Sequence, residues 1–136
     1  MSLEQARIIR LPKSTDGGAS LTFLEGKNHI PFEIKRVYYL YDIKSQMRGG
    51  HAHKEHQEFL IPICGSFDVV LDDGFNKKTF ELNSPAMGLY YPTMIWHEVT
   101  NFSPNSQVLV MASEHYDHED YFRSIENFYS AVTSNQ

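Results

Sequence analysis

Short apolar runs follow one another along this chain, with a turn signal between most neighbouring pairs. "ARIIRL", "LTFLEG", "FEIKRVYYLYD", "EFLIPICG", "SFDVVLDDG", "KKTFEL", "MGLYY", "WHEVTNF" and "SQVLVMASE" are mostly five to eight residues long. They are rich in Val, Ile, Phe, Tyr and Thr, the residues that fit a pleated, half-buried surface. Within "VVLDDGFNKKTFEL", Asp73-Gly74 supplies the positive-φ conformations of a tight reversal, so this stretch predicts a hairpin. Strands at this spacing predict an all-β sandwich or barrel. "PKSTDGGAS" reads as a loop. The one helix expected lies in "HEDYFRSIENFYSAV", where Tyr121, Phe122, Ile125, Phe128 and Tyr129 recur at helical spacing and read as core packing. A length of 136 residues suits one domain over 1–136 with one core.

Composition removes several classes of function. At 41% hydrophobic residues the chain is not a disordered tail. A formal charge of −5 argues against a nucleic-acid surface, although a local Arg cluster can still bind an anionic small molecule. No apolar run approaches the ~20 residues that span a bilayer, and "MSLEQARIIRLPK" lacks the long apolar core of a secretion signal. The expected location is the cytoplasm, with no membrane partner. Cys64 is the only cysteine, so no intrachain disulfide forms; within "FLIPICG" it reads as a buried small hydrophobe.

Two stretches carry polar side chains in patterns that suggest chemistry. In "IKRVYYLYD", alternation puts Ile34, Arg36, Tyr38, Leu40 and Asp42 on one face and Lys35, Val37, Tyr39 and Tyr41 on the other. The first face lines a polar cavity or meets solvent; alternation alone leaves both open. In "RGGHAHKEHQEF", His51 and His53 are two apart, so a strand points both imidazoles to one side, about 7 Å apart along the chain. His56 has the wrong parity for that face and is expected in solvent. His29, His115 and His118 sit among polar loop residues and are expected at the surface. Glu98 falls on the opposite strand face from His97 and is expected at the surface as well.

The order His51, His53, Glu58, Gly65, then Pro92, His97 and Asn101, resembles the two-part signature of the cupin barrel, with Met94 where a Gly is usual. That likeness implies a jelly-roll β-barrel with a short C-terminal helix. In metal-binding cupins the positions of His51, His53, His97 and Glu58 hold a divalent ion, a ligand set that suits Fe, Mn, Ni or Zn. Other cupins use the same positions for acid–base work.

A closer resemblance runs from about residue 15 to residue 128. "PFEIKRVYYLYD", "RGGHAHK", "LDDG", "SPAMGLYYPTMIWHE" and "ASEHYDHEDYFR" are similar to the nucleotide-sugar 3,4-ketoisomerases, which act on dTDP-4-keto-6-deoxyglucose. The resemblance implies a metal-free enzyme with no cofactor, working as a homodimer that exchanges a strand. Its product is a 3-keto-6-deoxyhexose, from which aminotransferases build 3-amino sugars for bacterial surface glycans. The alternatives are a dTDP-4-keto sugar 3,5-epimerase, a metal-dependent cupin enzyme and a non-catalytic sugar-binding cupin.

The residue types suit ketone migration. Moving a ketone from C4 to C3 passes through an enediol, so one base must take the C3 proton and other groups must manage protons on the two oxygens. Histidine, with an ordinary pKa of about 6.5, can take and return a proton near neutrality. The resemblance assigns His51 as the carbon acid–base, His53 as its neighbour in the shuttle, and Tyr38 as donor to a developing oxyanion. Arg48 and Arg36 are expected on the pyrophosphate or the sugar, because a guanidinium forks onto phosphate oxygens. His97 occupies a position where the family has His or Arg, and His goes with the galacto product; otherwise it is a hydrogen-bonded wall residue. Trp96, Tyr90 and Tyr91 either stack on a thymine ring or pack in the core. Two departures stand out. Gly18, in "DGGASL", replaces an Arg that reaches the family active site, and Glu58 stands where the metal-free family usually has Gln.

Overall fold

The computed structural model describes residues 2–134. A first turn of helix, α1 (Ser2–Gln5), leads into β1 (Arg7–Arg10), then a small hairpin of β2 (Lys13–Ser14) and β3 (Leu21–Thr22). Next come β4 (Arg36–Leu40), β5 (Met47–His53), β6 (Glu58–Cys64), β7 (Phe67–Asp72) and β8 (Lys77–Leu82). β9 (Met87–Tyr91), β10 (Trp96–Thr100) and β11 (Gln107–Ala112) follow. The chain closes with a 3-10 turn (His118–Asp120), β12 (Tyr121–Phe122) and α2 (Ile125–Thr133).

Two antiparallel sheets of five strands make up the body, ordered β1-β9-β6-β11-β4 and β12-β5-β10-β7-β8. Strands adjacent in sequence pass repeatedly between the sheets, the pattern of a jelly roll. The fold is therefore the all-β one expected. The predicted hairpin is β7 and β8, closed by Asp73–Asn76 with Gly74 at φ +97°. The loop at 12–20 holds β2 and the turn of the β2–β3 hairpin, and Gly18 lies near its exposed tip at φ +80°.

Alternating residues face inward between the sheets. Leu60 of β6, Val69 and Leu71 of β7, Leu89 of β9, Val99 of β10, and Val108 and Val110 of β11 form the main core. The first sheet is also covered outside: Ile30 and Phe32 pack on Phe59, Ile61, Tyr90 and Met111. Double coverage explains why "EFLIPI" lacks a polar alternation: its outward residues are buried as well. The cover ends before the end of β6. Ile63 is exposed, and so is Cys64, which corrects its reading as a buried hydrophobe.

The C-terminal helix is shorter than its hydrophobic spacing suggests. Tyr121 and Phe122 belong to β12, paired with His53 and Ala52 at the edge of the second sheet. Ser124 ends that strand and caps α2 by accepting a hydrogen bond from the Asn127 N–H. The helix then buries Phe128 against Trp96, Ala52 and Phe122. Trp96, Tyr90 and Tyr91 are all buried. Trp96 lies under α2 and donates its indole N–H to Glu98, Tyr90 sits on the outer cover, and Tyr91 points between the sheets.

Met94 occupies the left-handed region at φ +61°, where cupins usually have Gly. Its N–H donates to the carbonyl of His53 at 2.8 Å, which ties the loop before β10 to the end of β5.

Phe128 is fully buried and is the anchor of α2. Phe128→Ala is expected to cost about 3–5 kcal/mol, read as a lowered urea midpoint. A loss below about 1 kcal/mol would show that α2 does not depend on this contact.

Candidate active site

β5 and β10 run side by side, with His51 opposite His97. A register shift after His97 lets the strand bend. Gly49 makes this approach possible: a Cβ there would lie 3.0 Å from the His97 carbonyl oxygen, and the backbone is at φ +88°. His53, two residues past His51, faces the same side. The ring centroids lie 5.0 Å apart for His51–His53, 4.5 Å for His51–His97 and 5.3 Å for His53–His97. Strand parity thus brings together the three imidazoles expected inside.

The facing sheet supplies Tyr38 from β4, Glu58 from β6 and Tyr91 from β9. Glu58 is completely buried. Its Oε2 accepts a hydrogen bond from the Tyr38 hydroxyl at 2.7 Å, and its Oε1 accepts one from Tyr91 at 2.6 Å. His53 Nε2 lies 3.4 Å and His56 Nε2 3.3 Å from Oε2, and His97 Nε2 lies 3.9 Å from Oε1. The space between is about 70 Å³, walled by Tyr38, His51, Glu58, Tyr91 and His97. That volume admits the edge of a sugar ring and not a nucleotide.

His56 is not in solvent. β5 ends at His53, and the turn through Lys54 folds the next residues back, so parity no longer applies. The His56 ring comes to 3.5 Å from that of His53, centroid to centroid, and is buried. Its Nδ1 lies 2.7 Å from Asp120 Oδ2. The other surface expectations fall as follows: His115 and His118 are exposed, while His29 and Glu98 are half-buried. His29 Nδ1 accepts the Glu25 N–H.

The arginines sit further out. Arg48 is exposed beside the cavity. Arg36 is half-buried, its guanidinium 5.1 Å from the centre of the Tyr38 ring and 5.5 Å from that of Tyr116. Its Nε and Nη2 are buried without a hydrogen-bond partner among the described residues. Tyr121 and Asp120, from the C-terminal segment, complete the site; they are more than sixty residues from His51, His53 and His56 in sequence and have no readable spacing to them. The helix-like pattern at 121–129 hid their part in it.

Burial sets the protonation states. Desolvation, helped by the charge His53 would carry, pushes His51 down to about 4. Burial lowers His53 and His97 as well. It raises Tyr38 and Tyr91 well above the usual phenol range, and the Glu58 charge adds to the rise. For Glu58, burial acts to raise the pKa, but hydrogen bonds from His53 and His56 outweigh it and hold the carboxyl well below its usual range. At neutral pH the cavity therefore offers neutral imidazoles on one wall and protonated phenols on a carboxylate on the other.

These groups also bear on a divalent ion. His51, His53 and His97 bring ring nitrogens within 4.8 Å of one another, and so do the donors of His53, His56 and Glu58. His53 belongs to both groups, and Glu58 accepts a hydrogen bond from a phenol on each oxygen. The set reads as acid–base machinery organised around a shared anion.

A double sheet with histidines and a carboxylate turned inward defines a cupin-type protein. The family model for FdtA (WxcM-like, C-terminal) matches residues 4–133. The chain is 43% identical over 123 residues to the TDP-4-oxo-6-deoxy-alpha-D-glucose-3,4-oxoisomerase of Aneurinibacillus thermoaerophilus, covering 90% of this chain and 88% of the relative. Among solved structures it is similar to the 3,4-ketoisomerase QdtA from Thermoanaerobacterium thermosaccharolyticum in complex with TDP. That match has a TM-score of 0.92 and 36% identity, and covers 98% of each chain. A His-to-Asn variant of QdtA has been solved with TDP-4-keto-6-deoxyglucose. The TDP-quinovose 3,4-ketoisomerase WlaRB from Campylobacter jejuni matches with a TM-score of 0.88 and 41% identity, covering 93% of this chain and 98% of that one. The chain belongs to the FdtA family of sugar-nucleotide 3,4-ketoisomerases.

The lowered histidines make stability depend on pH. For His51, whose pKa is about 4 in the folded chain and about 6.5 unfolded, the unfolded state binds more protons between those values. Its stabilising contribution is complete above about 6.5 and is lost as pH falls towards 4. His53 and His97 act in the same direction. Urea midpoints measured from pH 7.5 to 5 should therefore fall steadily; a flat profile would mean that the imidazoles are not held neutral by the fold.

Proposed function

We propose that the chain converts TDP-4-keto-6-deoxyglucose to TDP-3-keto-6-deoxygalactose. The observation that carries this reading is the pair of neutral imidazoles, His51 and His97, opposite one another on a cavity whose other wall is Tyr38 on Glu58. In this reading His51 takes the proton from C3, giving an enediolate, and Tyr38 handles the proton at sugar oxygen. His53, behind His51 and against Glu58, passes protons between the walls. His51 passes the C3 proton to the neighbouring His97, which returns it to C4 and so sets its configuration. The small cavity takes the reacting edge, while Arg48 and the unpartnered nitrogens of Arg36 meet the pyrophosphate outside it. No metal ion takes part in these steps. The 3-keto product is a substrate for an aminotransferase that builds a 3-amino sugar for a surface glycan.

A second reading, the gluco product, is favoured by the 41% identity to WlaRB, because quinovose is 6-deoxyglucose. Incubation with TDP-4-keto-6-deoxyglucose in deuterated water separates the readings. We expect a 3-keto product with galacto configuration by NMR, deuterium at C3 or C4, and unchanged turnover after dialysis against EDTA. His51→Asn should abolish turnover and keep TDP binding. Label at C5 would instead mark an epimerase, and loss of activity with EDTA a metal enzyme.

The same reading includes a homodimer with strand exchange. Its support is the uncovered outer face of the first sheet, where Val37, Tyr39, Tyr41 and Ile63 are exposed by 53%, 65%, 61% and 45%. A second copy would cover this apolar edge. Tyr39→Lys, on the strand face opposite Tyr38, should shift the sedimentation coefficient towards the monomer; an unchanged value would place the interface elsewhere.

A further inference from the structure

Three strands that bring a polar group to the cavity also bring an aliphatic one. Side chains two residues apart share a strand face, about 7 Å apart along it. β4 therefore turns in Leu40 with Tyr38, β6 turns in Leu60 with Glu58, and β10 turns in Val99 with His97. β11 adds Val108 and Val110, and Val110 stands opposite Tyr38 on one neighbour and Leu60 on the other. These five aliphatic side chains line the same space of about 70 Å³ as Tyr38, His51, Glu58 and His97. Leu60, Val99, Val108 and Val110 are all buried. The reacting groups thus share their cavity with a dry surface whose side chains offer neither donor nor acceptor. The backbone of β6 and β11, paired on both sides, is committed to the sheet.

The proposed substrate has a matching shape. In a hexopyranose, C4 lies across the ring from C1, which carries the diphosphate. A sugar that presents C3 and C4 to the imidazoles therefore carries C5 and its substituent in beside them. In a 6-deoxy sugar that substituent is a methyl group; in an ordinary hexose it is a hydroxymethyl. Burying a methyl against aliphatic side chains is favourable, whereas a hydroxyl left there without a partner keeps its full desolvation cost.

We infer that Leu40, Leu60, Val99, Val108 and Val110 form a methyl-binding wall that selects 6-deoxy sugars. The inference rests on the ketoisomerase reading. C6 takes no part in the proton transfers, so the wall acts on binding. It accepts the methyl, rejects the hydroxymethyl and, by filling the space beside C5, turns the C3–C4 edge towards His51 and His97. Val110, next to both Tyr38 and Leu60, stands where the polar and aliphatic surfaces meet.

Two stable substrate mimics test this, TDP-6-deoxyglucose and TDP-glucose, which differ only in the C6 hydroxyl. Calorimetric titration of the full chain should show the 6-deoxy sugar binding about 10–100-fold more tightly. Val110→Thr keeps the shape of the side chain and puts a hydroxyl on the wall. It should narrow that ratio about tenfold, chiefly by strengthening TDP-glucose. Val99→Thr should narrow it as well. A disturbance of core packing alone would weaken both sugars alike and leave the ratio unmoved. Equal affinities in the unaltered chain, or a ratio unmoved in both variants, would overturn the inference. Should a variant not fold, the unaltered chain and the other variant still decide. Equal affinities alongside normal turnover of TDP-4-keto-6-deoxyglucose would sink this inference alone. Absence of any 3-keto product would sink the ketoisomerase reading, and this inference with it.

Discussion

A carboxylate sealed from water organises this molecule. Transferring an isolated carboxylate from water to a protein interior is prohibitive unless charge and hydrogen bonds compensate it. Glu58 is compensated from four directions: Tyr38 on β4, Tyr91 on β9, His53 at the end of β5, and His56 on the turn that follows. Those groups come from both sheets, so meeting the needs of one side chain also sets how the sheets close on each other at this end. The same contacts that make the burial tolerable give the phenols and imidazoles their protonation states.

The result is a cavity with two unlike walls. Neutral histidines line one side and phenols hydrogen-bonded to a buried anion line the other. Ketone migration asks for both at once: a base at carbon and a proton exchanger at oxygen. Rigid strands suit this better than loops would, because the reacting edge of the sugar must meet both walls within a fraction of an ångström. The arginines, Arg36 and Arg48, lie outside these two walls.

Much of this was legible in the residues because strand parity is strict. His51 and His53 share a face, Arg36, Tyr38 and Leu40 share another, and "LDDG" turns where it should. The misreadings have local causes. His56 escapes strand parity because β5 ends three residues before it. The helix starts later than the spacing predicts because an aromatic pair in a short edge strand falls by chance into helical spacing. Cys64 follows an apolar run whose covering layer stops short of it. Trp96 looked available for stacking until α2 folded over it.

By itself the sequence determined the period of the strands, the turns between them, the inward pair of imidazoles and, through its motif blocks, the family. Periodicity and turn chemistry act over a few residues, so they can be read from a few residues. Only the tertiary structure decided that Asp120 and Tyr121 reach the histidines, and that Glu58 accepts hydrogen bonds from tyrosines on two strands. It also decided that His56 faces a carboxylate on each side. Such contacts join residues far apart in the chain, and their geometry exists only once two sheets and a C-terminal segment have packed around one buried charge.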